Sequence, residues 1–356
     1  MNAHQALTSV HLNIGNAVDR LVSVDLSARG FISVLYDESR KLNGDKPLCL
    51  AAAHELVQRT GAGQFVVIAT GLPIRGWFNP AMAENDGPIG AASLARAVYV
   101  GLRGVPVLIC EEAQTPVLRA CLHAVGMTPT TFAEYDAAIS SKHVVSGRDL
   151  PVAIVQGFTA DAARADDEAN RILSRKPSAL ISTERQGVNE QGHYHYGRGE
   201  RNIPEIMAKI DRLFEIAKSR GFFTIGIGDG GNELGMANIR KSIVERLPFG
   251  DKIVPSVEVS LLVSASVSNF GCYGIEACLA ALVGNPSVLH SPEQELALIA
   301  ACVRAGAVDG VTGFVEPFVD ALSEEVCAGM TRLLHAIVKN GLSPSKIFQT
   351  ADAKRS

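Results

Sequence analysis

From residue 65 onward the chain alternates short β-branched runs with helical patterns, and that alternation restricts its fold more than any other feature. The runs fall at 65–69, 105–109, 152–155, 179–182, 223–227 and 257–263, and the helical patterns at 89–100, 115–125, 160–173, 205–219 and 233–246. A helix between two strands returns the chain to a parallel partner, so an α/β fold is expected, a mostly parallel, doubly wound sheet with helices on both faces. The first sixty residues read as helical, with Pro47 opening a stretch rich in helix formers. The expected organisation is an N-terminal helical segment, 1–60, packed on an α/β domain spanning 61–345. Residues 185–202 are polar and Gly-rich and are expected to form a long functional loop. Two ordinary packing helices are expected at about 291–305 and 323–340.

With 47% hydrophobic and 20% charged residues, the 356-residue chain has enough apolar side chain for a large core and too much for a disordered protein. A net charge of −4, with no basic run interleaved with aromatics, argues against a nucleic-acid partner. Seven cysteines without a CxxC pair argue against a disulfide framework or a zinc site and for a reducing compartment, so a cytoplasmic location is expected. No basic-then-apolar leader opens the chain, and no apolar run reaches about 18 residues, so neither a signal peptide nor a membrane partner is expected. A homo-oligomer is compatible with this composition.

The most informative segment is Thr224-Ile225-Gly226-Ile227-Gly228-Asp229-Gly230-Gly231-Asn232-Glu233-Leu234-Gly235-Met236. A strand runs into a glycine-rich turn, and a helix is expected to follow. The amides of Gly230, Gly231 and Asn232 are expected to form an anion-binding nest at that helix start, with Asp229 and Glu233 adding carboxylates for a hard divalent cation. Such a site would lie where open α/β sheets bind ligands, at the carboxyl ends of strands. A plainer reading is a tight turn whose two acids cap the helix. Gly226, Gly228 and Gly231 also satisfy the dinucleotide pattern GxGxxG. Against that, Asp229 would repel a pyrophosphate, and residues 246–251, where an acid-ended strand is due, contain Pro248 and Gly250.

Other segments bear on the same crevice. Glu84-Asn85-Asp86-Gly87-Pro88-Ile89-Gly90 opens a helix, and Asp86 either caps it or faces the first acidic turn. Thr70 and Gly71 follow the strand at 65–69. Glu184 and Arg185 follow that at 179–182; Glu184 can accept a proton or bind metal and Arg185 can clamp a carboxylate, or the two form a surface ion pair. Ser268 and Asn269 either read a polar ligand or cap an Ala-rich helix. His193 and His195 lack further ligands at zinc spacing and read as exposed loop histidines. No GxSxG elbow supports serine-hydrolase chemistry.

Taken together, these segments resemble the D-glutamate cyclase family in its stand-alone form. The matching residues are Thr70-Gly71-Leu72-Pro73, Glu84 to Ala91, Glu184-Arg185-Gln186-Gly187 with Tyr194, and the 224–236 block. Ser266-Val267-Ser268-Asn269-Phe270-Gly271-Cys272-Tyr273, Asp309-Gly310-Val311-Thr312-Gly313 and Val319-Asp320-Ala321 follow, all in order across about 70–321. Asn85 stands where the family pattern has Thr, Phe270 where it has Trp, and Ala237 and Ala321 where it has Gly. The resemblance implies a hydro-lyase that closes D-glutamate into 5-oxo-D-proline with loss of water, assisted by Mn²⁺ or Mg²⁺. On that basis Asp229, Glu233 and Asp86 are expected to hold the cation, and Asp229, Glu233 and Glu184 to carry the chemistry, Glu184 as the base. Arg185, Gly230, Gly231, Asn232, Ser268, Asn269 and Thr70 are expected to bind the substrate, Arg185 at its α-carboxylate. A metal-dependent phosphatase using the same carboxylates, a nicotinamide-dinucleotide enzyme using Gly226, Gly228 and Gly231, and a non-catalytic amino-acid-binding protein stand as alternatives.

Overall fold

Seven strands pair in parallel throughout: β1 (Phe65–Ala69), β2 (Val105–Glu111), β3 (Thr128–Thr130), β4 (Val152–Phe158), β5 (Ala179–Thr183), β6 (Thr224–Gly228) and β7 (Leu261–Ser264). Their order across the sheet is β3-β4-β2-β1-β5-β6-β7, which is the expected doubly wound α/β architecture. These are features of a computed structural model that describes residues 6–71, 73–141 and 151–343. Leu72 of the Thr70–Pro73 turn and the last two residues of the 61–345 range lie outside the described residues.

Both faces of the sheet are covered, which is why its strands are apolar without polar alternation. In β1, Val66 and Ile68 join one core and Val67 and Ala69 the other. The first core is roofed by the helices Ser9–Val22, Leu48–Arg59, Pro88–Leu102, Ser268–Val283 and Glu324–Leu342, among others. The second lies under Ile32–Leu42, Ala162–Leu173, Ile210–Ser219 and Arg240–Arg246. β3 has no counterpart among the sequence-predicted strands. It is an edge strand with Pro129 at its centre, a residue tolerated there because an edge leaves one side of the ladder unpaired.

The chain runs outward from β1 through β2 to β3 at the edge, inserts β4 between β3 and β2, then crosses back to place β5 on the other side of β1. That reversal opens a crevice at the carboxyl ends of β1 and β5. The helix Ser268–Val283, buried on nearly every side, stands behind it. It meets the start of Pro88–Leu102 so closely that a Cβ on Gly90 would lie 2.6 Å from Asn269 Oδ1, so only glycine fits.

Two elements differ from expectation. The pattern at 233–246 forms a 3-10 turn, Met236–Ile239, and then a short helix, Arg240–Arg246. No helix begins at Gly231 because Leu234 N donates to Arg185 O, Gly235 N donates to Val257 O, and Gly235 takes a left-handed φ of 105°. The strand expected at 257–263 is confined to Leu261–Ser264.

A small hairpin, Phe318–Val319 with Leu322–Ser323, turns on Asp320 and Ala321, with φ of 51° and 62°. Two left-handed central residues mark a type I′ turn, which favours Asn, Asp or Gly and disfavours Ala. Ala321→Gly should therefore raise unfolding free energy by about 1 kcal/mol, read by denaturant titration.

Beside the Ser268–Val283 helix, His290 lies fully buried with Nδ1 2.8 Å from Glu276 Oε2 and Nε2 3.1 Å from Glu295 Oε2, while the Tyr273 hydroxyl donates to both Glu295 oxygens. Burial opposes the imidazolium charge, but Glu276 and Glu295 outweigh it and raise the His290 pKa to about 9. This stabilisation is complete below the free imidazole value near 6.5 and is lost as pH rises through 9. Wild-type stability should fall across that window by about 3 kcal/mol more than that of His290→Gln, in melts from pH 6 to 10.

Candidate active site

Each strand end at the crevice supplies acidic side chains. Asp229 follows β6 and Glu184 follows β5, the latter with a left-handed φ of 43°. Glu84 and Asp86 come from the loop that opens the Pro88–Leu102 helix, and Asp320 sits at the tip of the type I′ hairpin. All five, with Glu233, are buried. The oxygens of Glu184, Asp229 and Glu233 lie within 4.8 Å of one another, as do those of Asp86, Asp229 and Asp320, so Asp229 belongs to both groups.

One guanidinium stands among them. Arg29 Nη2 is 2.6 Å from Asp229 Oδ2 and 3.6 Å from Asp320 Oδ2, and it also contacts Ser266 O. Its turn is fixed by Asp25, which accepts from the amides of Arg29 and Gly30. Burial works against the charge of Arg29, but Asp229 and Asp320 hold its pKa above the ordinary value. Arg29 in turn outweighs the burial of Asp229 and keeps that carboxyl below the usual range. The other carboxyls move upward, by burial first and by their acidic neighbours second. Asp86 is pushed up to about 7 and Glu233 to about 8, and Glu84, Glu184 and Asp320 lie well above the ordinary range.

The expected anion nest is present but filled from within. The amides of Asp229 and Gly230 donate to Glu233 Oε1 at 3.1 and 2.6 Å, and that of Gly231 donates to Oε2 at 2.8 Å. This corrects the reading of Gly230 and Gly231 as open substrate donors. With those amides engaged and no helix starting at Gly231, Gly226, Gly228 and Gly231 do not make a dinucleotide cradle. A second correction concerns Arg185, which is fully buried away from the cavity. It donates to Gly71 O, Ala208 O and Glu111 Oε1, at 2.8, 2.7 and 2.5 Å, and so ties loops together.

The remaining predicted residues brace the carboxylates. Asp86 accepts from the amides of Gly87, Ser268 and Asn269, which fixes it to the start of the Ser268–Val283 helix. Ser268 Oγ donates to Glu184 Oε2 at 2.6 Å. Asn269 Oδ1 accepts from the amides of Gly87 and Gly90. Thr70 lies beneath the Gly87 turn, its hydroxyl without a hydrogen-bond partner among the described residues. Asn232 lines the cavity and donates to His195 O. His195, expected to be exposed, is buried with Nδ1 on Gly199 O, because the 185–202 loop folds back on itself through the His195–Arg201 bridge.

The site opens into a cavity of about 650 Å³, with Glu84, Glu184, Asp229, Glu233, Asp320 and Arg29 on its walls. The loop expected to be functional contributes Tyr196 to Arg198 and Arg201 to its rim. Sequence reasoning missed Arg29, Glu84 and Asp320 as site residues. Glu84 and Asp320 lay inside noted motifs; Arg29 lies in a segment with no recognised motif.

Two comparisons bear on this arrangement. The family described as "D-glutamate cyclase-like, C-terminal" matches residues 18–335, so Arg29 falls inside the matched region. The human protein "D-glutamate cyclase, mitochondrial" is 27% identical over 285 residues, covering 78% of this chain and 41% of the human one. This chain thus spans about two-fifths of the length of that curated relative. Spanning most of the chain, the family match establishes that it belongs to the D-glutamate cyclase-like, C-terminal family.

Proposed function

We propose that this chain is a divalent-metal-dependent cyclase that converts D-glutamate to 5-oxo-D-proline and water. The observation that carries the reading is a cluster of six buried carboxylates, five of them lining a substrate-sized cavity, with Arg29 the one guanidinium bonded among them in the described residues. Hard oxygen donors in this number suit Mn²⁺ or Mg²⁺, and the upward shifts of all but Asp229 mark a site with more negative charge than Arg29 balances. Arg29 stands on the Asp229–Asp320 side, so Glu184, Asp229 and Glu233, which all line the cavity, would hold the cation. When bound, it would draw charge from the attacked carboxylate and make its carbon a better electrophile.

The chemistry then needs two protons moved. The substrate ammonium gives up both as nitrogen bonds to the γ-carbon, and they leave with a γ-carboxylate oxygen as water. Glu84 fits this task. Its carboxyl lines the cavity, forms no hydrogen bond among the described residues, and is raised well above the ordinary range by burial and by Asp86 and Asp229. Glu184, the base expected from sequence, already accepts from Ser268 and serves better as a ligand. The cavity supplies the folded pose that brings amine and carboxyl together. A phosphate ester would meet several carboxylates and a nest already filled by Glu233, which disfavours the phosphatase alternative.

Chiral mass spectrometry after incubation with D- or L-glutamate, with and without Mn²⁺, tests the reading. Metal-dependent 5-oxo-D-proline from the D isomer supports it, and no product from a folded, metal-loaded sample refutes it. Asp229→Asn should abolish detectable turnover and weaken Mn²⁺ binding. Glu84→Gln should lower kcat by about 10²–10⁴ while Mn²⁺ affinity changes little. Because the raised carboxyls must ionise to bind metal, Mn²⁺ binding near pH 7 should release protons and tighten as pH rises through 8. Calorimetry in buffers of different ionisation enthalpy reads that release; a buffer-independent heat would contradict it.

A further inference from the structure

With Arg185 buried on Glu111, the cavity needs another cation if its ligand carries a second carboxylate. Three more guanidinium groups, besides Arg29, line it: Arg75, Arg198 and Arg201. Arg198 and Arg201 are exposed, whereas Arg75 is half-buried. Among the described residues the Arg75 guanidinium forms no hydrogen bond and no ion pair, unlike Arg29, whose charge is spent on Asp229 and Asp320.

Arg75 also sits on an unusual backbone and packs closely at its tip. Its backbone is left-handed, with φ of 52°, a conformation that costs a non-glycine residue about 1 kcal/mol or more. Its guanidinium lies against Gly313, itself left-handed at 74°, where any Cβ would overlap the guanidinium. In the same Asp309-Gly310-Val311-Thr312-Gly313 turn, a Cβ on Gly310 would overlap the Glu84 carboxylate. The turn's two glycines therefore leave room for two cavity groups, one acidic and one basic. The turn is pinned by Asp309, whose oxygens accept from the amides of Thr312 and Ala321.

We propose that Arg75 is the seat of a substrate carboxylate, the α-carboxylate of an acidic amino acid, and that Gly313 positions it. A planar guanidinium can grip a carboxylate through two parallel hydrogen bonds, which fixes orientation as well as charge. The substrate's far carboxyl then faces the acidic end of the cavity. Naming the α-carboxylate rests on the cyclase reading; the carboxylate seat itself does not.

The test uses the Mn²⁺-loaded full chain and two readouts. Glutarate, a five-carbon dicarboxylate without an amine, is the calorimetric probe, and D-glutamate is the turnover substrate. Arg75→Asn removes the guanidinium with a residue that tolerates the left-handed backbone. It should weaken glutarate binding roughly tenfold or more and raise KM for D-glutamate by a similar factor, with a smaller effect on kcat. Gly313→Ala, with Arg75 intact, should do the same by displacing the guanidinium, and thermal melts establish that both variants fold. Arg198→Ala and Arg201→Ala should change binding by less than about threefold. Wild type that binds glutarate through Arg75 yet never cyclises D-glutamate would support the seat and refute the cyclase reading. The seat is overturned if wild type does not bind glutarate, if Arg75→Asn binds it as wild type does, or if a rim arginine matters as much; wild-type binding by Gly313→Ala overturns the positioning role of Gly313.

Discussion

The structure turns on electrostatic crowding around Asp229. Two like charges about 4 Å apart repel by about 4 kcal/mol at the effective dielectric of a protein site. Six carboxylates and one guanidinium in a buried cluster therefore cannot all be ionised. Such a cluster keeps protons or takes a cation, and both responses suit the proposed cyclisation, in which two protons leave nitrogen and depart in water. Asp229 stays ionised because Arg29 touches it, and that fixed charge helps push Asp86, Glu184, Glu233 and Asp320 upward.

The fold makes this crowding tolerable by bracing each acid. Glu233 is held by three successive amides, Asp86 by the first amides of the Ser268–Val283 helix, and Glu184 by Ser268. The hydrogen bonds that hold Asp86 and Glu233 favour their ionised forms while burial opposes them, leaving pKa values near neutrality rather than far above it. The reversal of strand order at β1 and β5 places these supports around one crevice. The buried helix behind it fixes their relative positions, since Asn269 locks the Gly87–Gly90 turn to that helix.

Much of this was legible in the chain. The β-branched runs gave the sheet, because strands buried on both faces must be apolar throughout. The acidic turn at Asp229 and Glu233 and the loop at Asp86 stood out as carboxylates beside glycines next to strand ends, open to a capping reading as well, and the structure brings them to one cluster. What escaped was long-range. Arg185 looked like a clamp, since nothing local reveals that Glu111, 74 residues earlier, captures it. Gly230 and Gly231 looked like open donors because the return of the Glu233 side chain depends on three-dimensional closure. Arg29 is 200 residues from its partner Asp229 and carries no local signature. The helix expected after Gly231 was overridden by tertiary hydrogen bonds from Leu234 and Gly235.

The most direct test of the account is a crystal soaked in Mn²⁺ and measured at the manganese absorption edge. The account predicts an anomalous peak within coordination distance of Glu184, Asp229 and Glu233. Diffraction of good quality with no peak at that cluster, or with manganese bound only elsewhere, would contradict the claim that these carboxylates form the catalytic cation site.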